Sequence, residues 1–207
     1  MLGDGPAAAA ATLLERANGL RAVDPNLRPN LWGSDRAAEL VLPLLERADV
    51  VLGGESELAM LVGGDGAQSI AEAVRRLGPR EVVVKRGRRG AVAIDRDGDV
   101  AGIAPEPVSE ADPVGAGDAF NAAYLAARLR GRPVVDALAE GARCGAAVAA
   151  TLGDVLGFPM ASEAVEARRV EPAERAGDGP GETPGGGTDH DGRDAAVPRR
   201  PARRRGG

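Results

Sequence analysis

A chain of 207 residues with 43% apolar content has room for one globular domain and a tail, and with only 2% aromatic residues its core must be built from Ala, Val and Leu. The single histidine, His190, falls in a Gly-rich stretch, and the single cysteine, Cys144, falls in a run of small residues; together they set aside Ser-His-Asp and Cys-His catalysis, a histidine metal site and an internal disulfide. A net charge of −5 disfavours nucleic-acid binding by the body of the chain, no apolar run approaches membrane-spanning length, and the opening residues lack the basic region of an export signal, so a cytoplasmic protein is expected.

In chain order, Pro6 opens a helix that runs past Glu15 and is ended by Asn18-Gly19. A short strand at 20–23 delivers Asp24-Pro25-Asn26-Leu27-Arg28-Pro29, where the two prolines forbid regular structure and hold polar groups at the carboxyl end of the strand. Open α/β sheets bind ligands at that edge. The Arg28 guanidinium suits phosphate oxygens or a carboxylate, and equally suits a surface pair with Asp24 or Asp35. Trp32 is expected to pack beneath this loop, and Ser34 to cap a helix over 34–46 with Leu40, Val41, Leu44 and Leu45 on one face. A strand at 49–52 then runs into Gly53-Gly54-Glu55-Ser56-Glu57, whose acids fit a helix N-terminus. A helix over 67–77 closes at Gly78, and a strand at 81–85 enters Gly87-Arg88-Arg89-Gly90 before returning over 91–95. Taken alone, that turn reads as a tight hairpin. Lys85, just before it, is the only lysine among 26 basic residues.

The stretch 112–121, DPVGAGDAFN, places small residues and a carboxylate where a loop becomes a helix. Gly115, Ala116 and Gly117 let consecutive N–H groups converge on one point, and the following helix adds its partial positive charge there. Asp118, on the first turn, is placed to accept a proton from a hydroxyl attacking a phosphate. The helix from 119 to 129 is nearly apolar all round and is expected to run buried through the middle of the domain. A further helix over 134–152 carries Gly141, Gly145 and Ala146, where a flat ring or a neighbouring backbone can approach closely.

These motifs together resemble the PfkB/ribokinase family of sugar and nucleoside kinases. DPVGAGDAFN is similar to the family's C-terminal signature, and DPNLRPNLW to a motif of its 2-keto-3-deoxygluconate kinases and fructokinases. The stretch 153–159 resembles the end of the former. The resemblance implies an α/β, ribokinase-like, three-layer fold around a parallel sheet, and ATP-dependent phosphorylation of a sugar or sugar-acid hydroxyl. It makes Asp118 the catalytic base and the Gly115, Ala116 and Gly117 amides the anion hole. Arg28, Asp24 and Asn26 fall to the substrate or its phosphate, and Lys85, Gly87, Gly90, Asp112 and Gly145 to the nucleotide. ATP is expected with Mg²⁺, organised through water by Glu57, which matches the glutamate of the family's Asn-x-x-Glu; Gly54 stands where the asparagine would be.

The similarity runs from about Ala7 to Pro159, and what members place before it is missing: several strands, a small β lid and most of the sugar contacts. The expectation is a kinase domain truncated at its N-terminus over 1–162, without the lid, whose unpaired sheet edge favours a homo-oligomer. Over 163–207 the composition turns to Gly, Pro, Arg and acids, which is expected to be a disordered tail. Its five arginines at 199–205 read as a solvated charge run, and are the one segment suited to nucleic acid. Two other readings stay open: a non-catalytic remnant that binds nucleotide or a partner subunit, and a tether that works through the tail.

Overall fold

The computed structural model describes residues 4–28, 33–109, 111–153 and 157–158; Trp32, the tail over 163–207 and most of the stretch 153–159 lie outside the described residues. Two five-residue strands, β2 (Val50–Gly54) and β3 (Glu81–Lys85), form the centre of a five-stranded sheet. Strand order follows the sequence, from β1 (Ala22–Val23) through β2 and β3 to β4 (Ala91–Ile94) and β5 (Val100–Ile103).

A period of two sorts the strand side chains between two dry faces. Val51, Val82, Val84 and Ile94 pack under α2 (Ser34–Leu45), α3 (Glu55–Val62) and α4 (Ala67–Arg75). Val50, Leu52, Val83, Ala91 and Ala93 point the other way, onto α5 (Ala116–Leu129) and α6 (Val134–Ala149). The result is the three-layer α/β/α arrangement expected from the sequence. A further helix, α1 (Asp4–Arg16), lies beside α2, with Glu15 paired to Arg47 just past the end of α2 at 3.4 Å. No helix among the described residues is long and apolar enough to cross a membrane.

Three expectations need correction. The sheet is mixed rather than parallel: β1, β2 and β3 are parallel, whereas β4 and β5 each run antiparallel to the strand before. The connections 86–90 and 95–99 are far shorter than the dozen or so residues a parallel crossover requires, so the chain can only turn back. Secondly, α5 does not run through the middle of the domain. It buries Ala119, Phe120, Tyr124 and Ala127 and leaves Leu129 exposed, because only one stripe meets the sheet and α6. Thirdly, Gly33 occupies the N-cap of α2 and Ser34 is its first helical residue.

Two ionic clusters anchor the amino-terminal edge of the sheet. Glu81, 6% exposed, accepts hydrogen bonds from Tyr124 Oη (2.6 Å) and from Arg128 Nη2 (2.7 Å), tying β3 to α5. Burial, reinforced by the Glu81 charge, pushes the Tyr124 hydroxyl well above the usual range, so it stays a donor. Arg21, before β1, donates from its backbone N–H (3.0 Å) and Nε (2.9 Å) to Asp49 Oδ2 and from Nη2 (2.9 Å) to Oδ1. The bidentate guanidinium lowers the Asp49 carboxyl to about 2.

Because the folded carboxyl titrates below its unfolded value, the Arg21–Asp49 stabilisation is complete above the ordinary carboxylate range and fades as pH falls towards about 2. Asp49→Asn should therefore destabilise the protein by roughly 1–2 kcal/mol near neutral pH. In urea unfolding the gap from wild type should narrow below pH ~4, and a gap that stays constant with pH contradicts the assignment.

Candidate active site

The site forms where the carboxyl ends of β1, β2 and β3 meet the first turn of α5. Past β1, the buried Pro25 and Leu27 pin the loop to the core, and Asn26 takes a positive φ of 43°, leaving Asn26 and Arg28 on the solvent side. A cleft of about 1010 Å³ opens there, lined by Asp24, Asn26, Arg28, Glu57, Lys85 and Asp118 among others. Arg28 and Asp118, far apart in sequence, thus face one space.

A second cavity of about 590 Å³ adjoins it, with an apolar wall that includes Pro105, Pro107, Phe120, Gly145 and Ala146. Lys85, Gly87, Pro113 and Gly117 line both cavities and form the partition between them.

The turn into α5 is built by Gly115, which adopts the left-handed conformation (φ 80°) as N-cap. Asp112 shapes this turn from behind: its Oδ1 accepts the Val114 N–H at 3.0 Å and its Oδ2 the Gly153 N–H at 3.4 Å. It lines neither cavity. The Ala116 N–H donates back to the Pro113 carbonyl at 3.2 Å, so it is spent inside the turn. Among the described residues the Gly115, Gly117 and Asp118 N–H groups have no backbone acceptor. Of the amides read from the sequence as one consecutive set, Gly115 and Gly117 thus keep their N–H groups without a backbone acceptor, whereas Ala116 does not. Asp118 itself is exposed to the cleft.

Lys85 is held more firmly than the sequence suggests. Its Nζ donates to Asp24 Oδ2 at 2.7 Å and to Asn121 Oδ1 at 3.1 Å, and Asn121 Nδ2 donates to the same Asp24 oxygen at 2.6 Å. Asn121 is a site residue that sequence reasoning passed over; its one signal was its place three residues beyond Asp118, on the same helical face. Arg89 and Arg86, from the turn after β3, reach Glu55, the latter at 3.8 Å.

Two glycines assigned to the nucleotide also have packing reasons. A Cβ on Gly90 would lie 2.0 Å from the Ile103 carbonyl, and one on Gly145 would lie 3.0 Å from the Ala116 carbonyl. Gly145 thereby lets α6 close against the turn into α5.

Residues 3–160 match the pfkB family carbohydrate kinase profile. The chain belongs to the pfkB family. It is 38% identical over 120 residues to a fructokinase of Klebsiella pneumoniae, covering 57% of this chain and 39% of that one. It is 34% identical over 131 residues to the 2-dehydro-3-deoxygluconokinase of Escherichia coli K12, covering 61% and 42%. An E. coli protein assigned as a ribokinase II, crystallised with ATP and Mg²⁺, superposes with a TM-score of 0.67 at 27% identity, covering 77% of this chain and 52% of that one. The ribokinase-like fold is therefore shared, and the chain spans between two fifths and about half of these relatives.

For a pfkB chain the fit of Mg²⁺ can be tested on the donors present. Among the described residues no group of three or more His, Cys, Asp or Glu could hold a metal ion. Asp24 is committed to Lys85 and Asn121, and Glu55 to arginines. Glu57 faces the cleft with one backbone partner, the Gly54 N–H at 3.3 Å, and burial raises its carboxyl above the usual range. A cleft carboxylate such as Glu57, outside any ready-made cage, fits Mg²⁺ brought in on phosphates with its water shell, the habit of that ion.

Gly145→Val forces α6 away from the α5 turn and should cost roughly 1–3 kcal/mol. A urea midpoint equal to that of wild type contradicts the close packing described.

Proposed function

We propose that this chain carries the nucleotide-binding and catalytic part of an ATP-dependent kinase for a sugar or sugar-acid hydroxyl, of the 2-keto-3-deoxygluconate kinase or fructokinase type. The observation that supports it is the adjacency of the two cavities: an apolar one suited to a flat base, opening across a shared partition onto a polar one that holds both Asp118 and Arg28. The fructokinase and deoxygluconokinase relatives favour this substrate class.

On this reading the base lies against Gly145, with Gly90 in the same wall and Asp112 fixing the loop above. The phosphates pass Lys85 and Gly87 into the open cleft. There the free amides of the Gly115–Gly117 turn and of Asp118, with the α5 dipole behind them, stabilise charge developing on the transferred group. The acceptor oxygen bonds to the γ-phosphorus, the bond to the leaving ADP oxygen breaks, and Asp118 takes the acceptor's proton. Arg28 and Asn26, on the Asp24 loop, orient the acceptor; a guanidinium there also suits the carboxylate of a sugar acid. Mg²⁺, with Glu57 holding one of its waters, neutralises phosphate charge when bound. The protein works in the cytoplasm, and assembly as a homo-oligomer stays open to it.

A second reading is that the chain binds nucleotide without turnover; it spans 39% and 42% of the fructokinase and deoxygluconokinase relatives. Titration calorimetry with ATP and Mg²⁺ tests binding, and a coupled assay for ADP tests turnover. Asp118→Asn keeps the size of the side chain but cannot take the proton, so turnover should fall by about 10²–10⁴-fold with ATP affinity nearly unchanged. Near-full turnover in Asp118→Asn rules out the general-base role, and absence of any ATP binding rules out both readings.

A further inference from the structure

Asp24, Lys85 and Asn121 come from three separate elements: the loop after β1, the end of β3 and the second turn of α5. Every polar contact among them is accounted for. Asp24 Oδ1 accepts the Asn26 N–H at 2.9 Å, while Oδ2 accepts both Lys85 Nζ at 2.7 Å and Asn121 Nδ2 at 2.6 Å. Asn121 Oδ1 completes the triangle by accepting from Lys85 at 3.1 Å. A cation on one side and an anion on the other leave the carboxamide a single sensible orientation, because a flip would set its donor against the ammonium. With the lysine and aspartate side chains only 16% and 21% exposed, the pair is partly shielded from water and salt.

We propose that Asp24 and Asn121 are positioning residues that lock the ammonium of Lys85 at the partition between the two cavities, and that Asp24 is not a sugar ligand. Both oxygens of Asp24 already serve internal donors, one of them charged, and a sugar hydroxyl offers a weaker bond than the one it would displace. The lock has two effects. It ties the loop that carries Asn26 and Arg28 to the helix that carries Asp118, fixing the separation of groups that must act on one acceptor. It also holds the ammonium beside the amide turn, where a Cβ built on Gly117 would lie 3.5 Å from Nζ. A phosphate chain crossing from the apolar cavity to the open cleft meets this charge already in place. Both effects rest on the kinase reading above; the lock itself does not.

Lys85 is the only lysine, so trace acylation with acetic anhydride, read by mass spectrometry on its peptide, reports one side chain apart from the N-terminus. Asp24→Asn and Asn121→Leu should each raise the acylation rate about tenfold by removing a charge-assisted partner. The exchange Asp24→Asn with Asn121→Asp restores one carboxylate and one carboxamide around the ammonium and should return the rate towards wild type, which a loss of packing alone does not explain. Thermal melts identify any variant that fails to fold, in which case Asn121→Ala carries the test. In calorimetry the single variants should weaken ATP binding, and the exchange should recover it. If wild type binds no ATP, the kinase reading fails, while the acylation rates still decide the lock. Single variants that acylate at the wild-type rate overturn it, as does an Asp24→Asn variant that loses only sugar affinity.

Discussion

Both faces of β2 and β3 are dry, and the position of everything functional follows from that. A strand buried on two sides must satisfy its backbone within the sheet and can offer polar groups only at its ends. Val51, Val82, Val83 and Val84 are fully enclosed, so the charged residues of these strands sit at opposite limits. Glu81 enters at one end, where it is neutralised by Arg128 and hydrogen-bonded by Tyr124; Lys85 leaves at the other and meets Asp24 and Asn121. The sheet thereby separates an edge closed by ion pairs from an edge that opens onto the cleft.

Helix α5 connects the two. Its last turns hold Glu81 through Arg128, its middle packs Phe120 and Tyr124 against the sheet, and its first turn presents free amides and Asp118 to the cleft. Helix α6 approaches α5 closely, and glycine makes the approach possible: a Cβ at Gly141 would meet the Phe120 ring at 3.1 Å. Small residues on α6 are thus explained by packing as well as by any ligand.

Much of this was legible in the sequence, for physical reasons that differ by element. The strand at 81–85 was marked by an unbroken β-branched run between turn residues, and α5 by the glycines before it and the apolar run after. The cleft itself followed from proline-rich and glycine-rich stretches at the carboxyl ends of strands, where regular structure is impossible and polar groups must project. What escaped notice depended on tertiary register. Asn121 carries no local signal beyond its spacing from Asp118, and its contacts exist only because Asp24 and Lys85 arrive beside it. The inward turn of the Ala116 amide is a matter of one hydrogen bond. An Ala-rich helix such as α5 offers too little contrast between its faces to show which one is buried.

The most direct test is a crystal structure of this chain with Mg²⁺ and a non-hydrolysable ATP analogue. The base should lie in the apolar cavity against Phe120 and Gly145, the phosphates should cross the partition at Lys85 and Gly117, and the terminal phosphate should rest on the free amides beside Asp118. A nucleotide whose base occupies the open cleft, or whose terminal phosphate points away from the α5 turn, would contradict the arrangement of the site.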